Sequence, residues 1–182
     1  VMELLEKVNL YEIQTEEERR RFVSALCDAV SFLHGRGYVH YDIKPSNILK
    51  RWSVSYGRAC VTYVLADFGS VHKVEQHQRT DQGEALIAST VSRLSDGRRM
   101  RVGTPGYADP VDDLHPVHAD IYAIGQVIRD MFQESVPILW ATIINKCTSR
   151  NYNYRYQTAA EISRALADIV FQGPKMLQEA YA

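Results

Sequence analysis

Three short stretches concentrate side chains that can handle protons, anions or cations. The first is His40-Tyr41-Asp42-Ile43-Lys44-Pro45-Ser46-Asn47, and the second is Asp67-Phe68-Gly69. The third is Gly103-Thr104-Pro105-Gly106-Tyr107-Ala108-Asp109-Pro110. Aspartate and asparagine oxygens suit hard cations, and a lysine ammonium suits an anion. Each stretch also has a plain turn reading, with Asp42 ahead of Pro45 and with Asp67-Phe68-Gly69 closing a strand. Their joint occurrence in this order makes coincidence a poor account. His115-x-x-His118 has metal-like spacing, but no third ligand lies close in sequence, so it reads as a surface loop pair. Cys27, Cys60 and Cys147 are odd in number, far apart and without a Cys-x-x-Cys pair. They read as reduced thiols in a cytosolic setting rather than as a disulfide scaffold or zinc site.

The elements that must hold these stretches follow from local pattern. Thr15 with Glu18 three residues on is a capping box, and Phe22, Leu26, Ala29 or Val30, and Leu33 recur behind it at helical spacing. Gly35 and Gly37 end that helix. Ile48-Leu49 and the β-branched run Val61 to Leu65 read as two strands, joined by a polar connector with Trp52 and Gly57. Residues 70–102 are polar and aperiodic and read as a long loop. Asp120 is expected to lead a second helix, with Ile121, Ile124, Ile128, Met131 and Phe132 on one stripe. A third helix is expected over Pro137 to Cys147, and a last one from Thr158, boxed by Glu161, with Ile162, Leu166 and Ile169 facing inward. The expected fold is mainly α with a small β-hairpin region.

Composition narrows the field from the other side. The 182 residues carry 21 Lys plus Arg against 22 Asp plus Glu, a net charge of −1, with 46% hydrophobic residues. That is the balance of one soluble globular domain, and it removes the electrostatic argument for a nucleic-acid partner. No run approaches the roughly 18 apolar residues of a membrane span. The start, where Glu3, Glu6 and Lys7 interrupt the apolar residues, does not resemble a signal peptide. A cytoplasmic protein is the resulting expectation.

Taken together, the three stretches resemble the C-terminal (large) lobe of a eukaryotic-type Ser/Thr protein kinase, and the resemblance covers essentially the whole chain. It implies a protein-kinase-like fold, large lobe only. Residues 1–9 would be the end of a strand and the hinge, and 38–69 the catalytic loop and metal-binding hairpin. Residues 67–110 would be the activation segment and 111–182 the helical remainder. It also implies ATP and Mg2+ as cofactors and a protein Ser/Thr hydroxyl as acceptor. By resemblance Asp42 orients that hydroxyl and takes its proton, Lys44 neutralises charge on the moving phosphoryl group, and Thr104 braces both. Asn47 and Asp67 would hold the metal. Met2 would be the gatekeeper beside adenine, with the Glu3 and Leu5 backbones at its edge and Leu49 beneath the ring; core packing is the plain alternative for these apolar residues. His40, Phe68, Gly69, Asp120 and Arg155 would be structural supports. Asp120 in particular would tie down the catalytic loop's backbone. The lysine two residues after Asp42, with Gly103-Thr104 following, resembles serine/threonine rather than tyrosine kinases.

The sequence also departs from that family. The family's glycine-rich loop, strand lysine and regulatory-helix glutamate are not among these 182 residues, and the lysine–glutamate pair is required alongside the metal aspartate. Little activity is therefore expected of these residues alone, and a small lobe, in the same polypeptide or separate, is the implied partner. A non-catalytic scaffold lobe and a small-molecule phosphotransferase of kinase-like fold are the alternatives. Tyr41 stands where many kinases have an arginine that pairs with phosphate, so activation is not expected to need a phosphate there. Val111 follows Pro110 where the family has a glutamate, leaving Asp109, Asp112 or Asp113 as candidate partners for Arg155. The interval from Asn47 to Asp67 is long for the family. That from Phe132 to Arg155 is short, so a helix that often docks protein substrates is expected to be reduced or missing.

Overall fold

A computed structural model describes residues 5–55, 57–74, 103–110, 116–132 and 135–168. The expected gatekeeper and hinge positions Met2 and Glu3, most of the long polar loop, His115 and Ile169 lie outside these residues.

The first helix, α1 (Glu16–His34), begins on the expected capping box. Thr15 Oγ1 accepts from the Glu18 N–H at 3.2 Å, and the Glu18 carboxylate accepts from the Thr15 N–H at 3.2 Å. Two of the four orphan donors of the first turn are satisfied in this way. Phe22, Val23, Leu26, Cys27 and Val30 then form its buried stripe. Burial pushes the Cys27 thiol up to about 12, which leaves it an inert core residue.

The strands are more extensive than a small hairpin. With β1 (Leu5–Lys7) and β2 (Tyr38–Val39) counted first, the long pair is β3 (Ile48–Ser55) and β4 (Arg58–Leu65), antiparallel from Ile48 opposite Leu65 to Ser55 opposite Arg58. Trp52 belongs to β3, opposite Val61, so the expected polar connector shrinks to two residues ending at Gly57, whose φ is +73°. The cross-strand pairing of Trp52, Val54 and Val61 outweighs the polar residues between them. β1 adds to the same sheet, with Leu5 opposite Arg51 and Lys7 opposite Leu49. A strand therefore occupies 5–7, where the end of a strand had been expected to give way to a linker. A second, two-stranded sheet pairs β2 with β5 (His72–Lys73), inside the stretch read as loop. These two-residue strands carry no periodic signal and exist because the β4 exit runs back along the residues after α1.

The helix α2 starts at Pro116, not Asp120, and runs to Asp130. Proline suits the first helical position, and the Asp120 carboxylate is engaged elsewhere, which frees it from capping. His118 lies on this helix, buried, with Gln157 Oε1 at 3.3 Å from its Nε2; it is not in a surface loop. α3 (Ile138–Cys147) follows, and α4 occupies 159–168. At α4 the Glu161 N–H donates to Thr158 Oγ1, but the Glu161 carboxylate takes the Gln157 N–H, so only half of the expected box forms.

The core lies where α1, α2 and α3 meet the inner end of the hairpin. Ile121, Ile124 and Ile128 pack with Phe22, Leu26, Trp140, Ile143, Ile48 and Leu65. Gly125 permits the α2–α3 approach, since a Cβ there would sit 2.6 Å from the Cys147 Cβ. Trp140 Nε1 donates to the Glu16 carboxylate at 2.9 Å, and Arg20 Nη1 donates to the Leu166 carbonyl at 2.7 Å, so both ends of the helical layer are pinned to the start of α1. Among the described residues no helix is long and apolar enough to cross a membrane.

Candidate functional site

Chemistry-bearing residues gather where β2, the open end of the β3–β4 hairpin and the Gly103–Pro110 segment meet. Asp42 is their centre. Lys44 Nζ donates to Asp42 Oδ2 at 2.7 Å and to Thr104 Oγ1 at 2.8 Å, while Thr104 Oγ1 donates to Asp42 Oδ1 at 2.6 Å. Asn47 Nδ2 donates to the Asp42 carbonyl at 2.9 Å and to its Oδ2 at 3.1 Å. Burial pushes the Asp42 carboxyl upward. The hydrogen bonds from Lys44 and Thr104, the Lys44 charge and Asn47 outweigh that effect and hold it below the usual carboxylate range.

Both acceptors facing Asn47 Nδ2 are oxygens, which fixes the amide orientation and turns Oδ1 away from Asp42. The backbone brings Asp67 to the same end of the hairpin: the Ala66 N–H donates to the Asn47 carbonyl at 2.8 Å. Asp67 is exposed, in left-handed backbone at φ 61°, and its Oδ1 accepts from the Gly69 N–H at 3.4 Å. Tyr41, at φ 64°, is the one other non-glycine residue in that region among the described residues. Left-handed backbone in such residues costs energy and persists where surrounding contacts enforce it. Here the two flank the cluster.

The supports are layered behind. Asp120, fully buried, accepts the Tyr41 N–H at Oδ1 and the His40 N–H at Oδ2, both at 2.8 Å. His34 Nε2 approaches the same Oδ2 at 2.9 Å. His40 Nε2 meets the Ala66 carbonyl at 3.2 Å and its Nδ1 accepts the Asp42 N–H at 3.4 Å, a set satisfied by the neutral Nε2–H tautomer. The Phe68 ring, 54% exposed, lies beside His40 with centroids 5.5 Å apart. Gly103, at φ +116°, lets the third segment touch the first: a Cβ there would lie 2.7 Å from the Tyr41 carbonyl oxygen. Farther off, Tyr107 donates to Asp130.

Of the remaining expected residues, Leu49 sits half-buried on β3, two residues after Asn47, and Leu5 half-buried on the adjacent β1. Arg155 is buried and grips Asp109 with both Nη1 and Nη2. His34 and His72 were missed by sequence reasoning. A histidine closing a helix gives no signal of the buried carboxylate it will meet. His72, edge-on to Tyr41 at 5.6 Å, gains its position from the β2–β5 pairing.

Comparison with known proteins now bears on this arrangement. The protein kinase domain model matches residues 1–178. The chain belongs to the protein kinase domain family. Among curated members of that family it is 25% identical over 199 residues to serine/threonine-protein kinase D of Synechocystis, covering 95% of this chain and 36% of that protein. It is 31% identical over 153 residues to the human phosphorylase b kinase gamma catalytic chain, liver/testis isoform, covering 75% of this chain and 31% of that protein. The probable serine/threonine-protein kinase fhkA of Dictyostelium discoideum is 25% identical over 186 residues, 92% of this chain and 31% of that protein. The chain thus spans about a third of the length of these kinases. Within the family frame, Asp109 stands before Pro110 and still reaches Arg155, two residues earlier than the expected glutamate position.

Proposed function

We propose that this chain carries the phosphoryl-transfer residues of a serine/threonine protein kinase, which moves the ATP γ-phosphate to a protein hydroxyl. The triangle of Asp42, Lys44 and Thr104 carries the reading. Phosphoryl transfer has a loose transition state and needs positioning and charge rather than covalent help. Asp42, held ionised, accepts the proton of an incoming hydroxyl. Lys44, beside it, opposes negative charge on the transferred group. Thr104 fixes the rotamers of both from the segment that cradles the acceptor.

The donor set fits magnesium. Asn47 Oδ1 and the Asp67 carboxylate are oxygen ligands at one end of a hairpin. Among the described residues no group of three or more His, Cys, Asp or Glu could hold a metal, and magnesium takes one or two protein ligands together with substrate phosphates. When bound, magnesium and ATP supply the cation and the transferable phosphate. Leu49 would lie under the adenine, with the Glu3 and Leu5 backbones at its edge and Met2 as gatekeeper.

The finer part of the reading is that these residues form the large lobe, soluble and cytoplasmic. In the family a glycine-rich loop and a lysine–glutamate pair on the small lobe complete the site. On its own the chain would transfer phosphate slowly, and a small lobe from the same polypeptide or another chain would restore the rate.

The test is label transfer from γ-labelled ATP to dephosphorylated casein by the intact kinase, together with a magnesium-dependent ATP titration. Asp42→Asn should lower transfer about 10²–10⁴-fold while ATP affinity stays unchanged. Transfer undiminished in Asp42→Asn would end the catalytic reading. Absence of transfer despite magnesium-dependent ATP binding would favour a scaffold instead.

A further inference from the structure

Among the described residues, Arg19 holds a fixed place while its Nε lacks an acceptor. Arg19, in the second turn of α1, lays its guanidinium over the Phe132 ring, 4.7 Å from the centroid. Stacking uses the face of the guanidinium and leaves its in-plane N–H edge needing acceptors. Arg19 Nε on that edge is buried with no hydrogen-bond partner. Its helical neighbours are engaged elsewhere. Glu16 holds Arg20 and Trp140, and Glu18 holds Thr15.

Beside this edge lies an open cavity of about 430 Å³ between the 3-10 turn before α1 and the end of α2. Its lining is Arg19, Tyr11, Gln14 and Ser135, with Ile13, Met131 and Phe132 as apolar wall. Among the described lining residues none is acidic, and Arg19 is the charged one. The Tyr11 and Ser135 hydroxyls and the Gln14 amide can each donate a further hydrogen bond. A guanidinium edge ringed by neutral donors matches a carboxylate or phosphate, which the Nε and Nη hydrogens can grip in parallel. The cavity is joined to the phosphoryl-transfer cluster through one segment: Thr104 meets Asp42, and Tyr107 meets Asp130, the residue before Met131 and Phe132.

We propose that this cavity is an oxyanion-binding site in which Arg19 takes a carboxylate or phosphate group, carried on a protein side chain or free in solution. It is separate from the residues proposed for phosphoryl transfer and does not depend on that reading.

The Arg19 Nε–H resonance of the full chain reports directly. It would be followed by NMR during titration with N-acetyl-phosphoserine amide, N-acetyl-glutamate amide and inorganic phosphate. A saturable shift there, matched at the Gln14 and Ser135 resonances, and at those two lost in Arg19→Gln and weakened at least about tenfold in Arg19→Lys, which keeps the charge but not the fork, supports the site. Tighter binding of either amide than of inorganic phosphate assigns the group to a side chain; equal binding assigns it to a free anion. Thermal unfolding of both variants at the wild-type temperature shows that they fold. No saturable shift with any of the three probes overturns the proposal. So does undiminished binding by folded Arg19→Gln, read from other cavity resonances.

Discussion

Arg155 and Asp109 close a buried two-point pair, Nη1 and Nη2 on the two carboxylate oxygens, between the turn before α4 and the end of the Gly103–Pro110 segment. The guanidinium also donates through Nε to the Ser149 carbonyl at 2.5 Å and lies over the Tyr152 ring at 4.9 Å. Both side chains are almost fully buried, so neither can regain water if the other is removed. Asp109→Ala should therefore cost about 3–5 kcal/mol in urea unfolding, and Arg155→Met a similar amount. The double variant should cost less than the two single losses added together. Additive losses would mean that the pair does not act as a unit.

Asp42 sets a pH dependence whose sign follows from its lowered pKa. A carboxyl depressed in the folded state contributes stability above its unfolded pKa, and that contribution disappears as pH falls through the lower folded value. Lys44→Met and Thr104→Val remove the hydrogen bonds that outweigh burial. In either variant the Asp42 carboxyl, followed by 13C NMR, should titrate at higher pH than in the wild type, and the acid-side loss of stability that Asp42 contributes should be smaller. An unmoved titration in both variants would show that the triangle does not set the charge of Asp42.

Asp120 feeds two backbone donors and one histidine from a fully buried position. Asp120→Ala strands the His40 and Tyr41 N–H groups, and an unsatisfied buried donor costs about 1–3 kcal/mol. Asp120→Asn keeps one acceptor oxygen and should lose less. Hydrogen exchange should rise at the His40 and Tyr41 amides in both variants, most strongly in the alanine form.

Gly103 is the point where the third motif leans on the first. Alanine there meets the Tyr41 carbonyl at 2.7 Å and occupies backbone at φ +116°. Strain of this kind costs about 1–3 kcal/mol. If relief comes by moving the segment, Thr104 leaves Asp42 and transfer by the intact kinase falls along with stability. Gly106, also at positive φ but with open space around it, should give the smaller effect on transfer when changed to alanine.

Local structure was legible wherever it rested on short-range pattern. The Thr15–Glu18 box, the α1 and α2 stripes and the hairpin strands follow from residues within one or two turns of each other. Errors arose where a distant contact overrode the local signal. Asp120 has the type of a helix cap, yet its carboxylate is taken by amides about 80 positions earlier, and Pro116 opens the helix instead. β2 and β5 are too short to carry a period. His118 reads as a surface residue because burial of a histidine by Gln157 and Tyr152 is not written in spacing.

The amino-acid order alone determined which side chains were available for chemistry and in what succession, because motifs and helical stripes are properties of neighbouring residues. Tertiary packing decided which of them touch. Lys44 meets Thr104 across 60 positions, and Arg155 chooses Asp109 across 46. Such meetings depend on how helices seat against a hairpin. A carboxylate's partner is the donor that packing brings within about 3 Å, and separation along the chain carries no record of that distance.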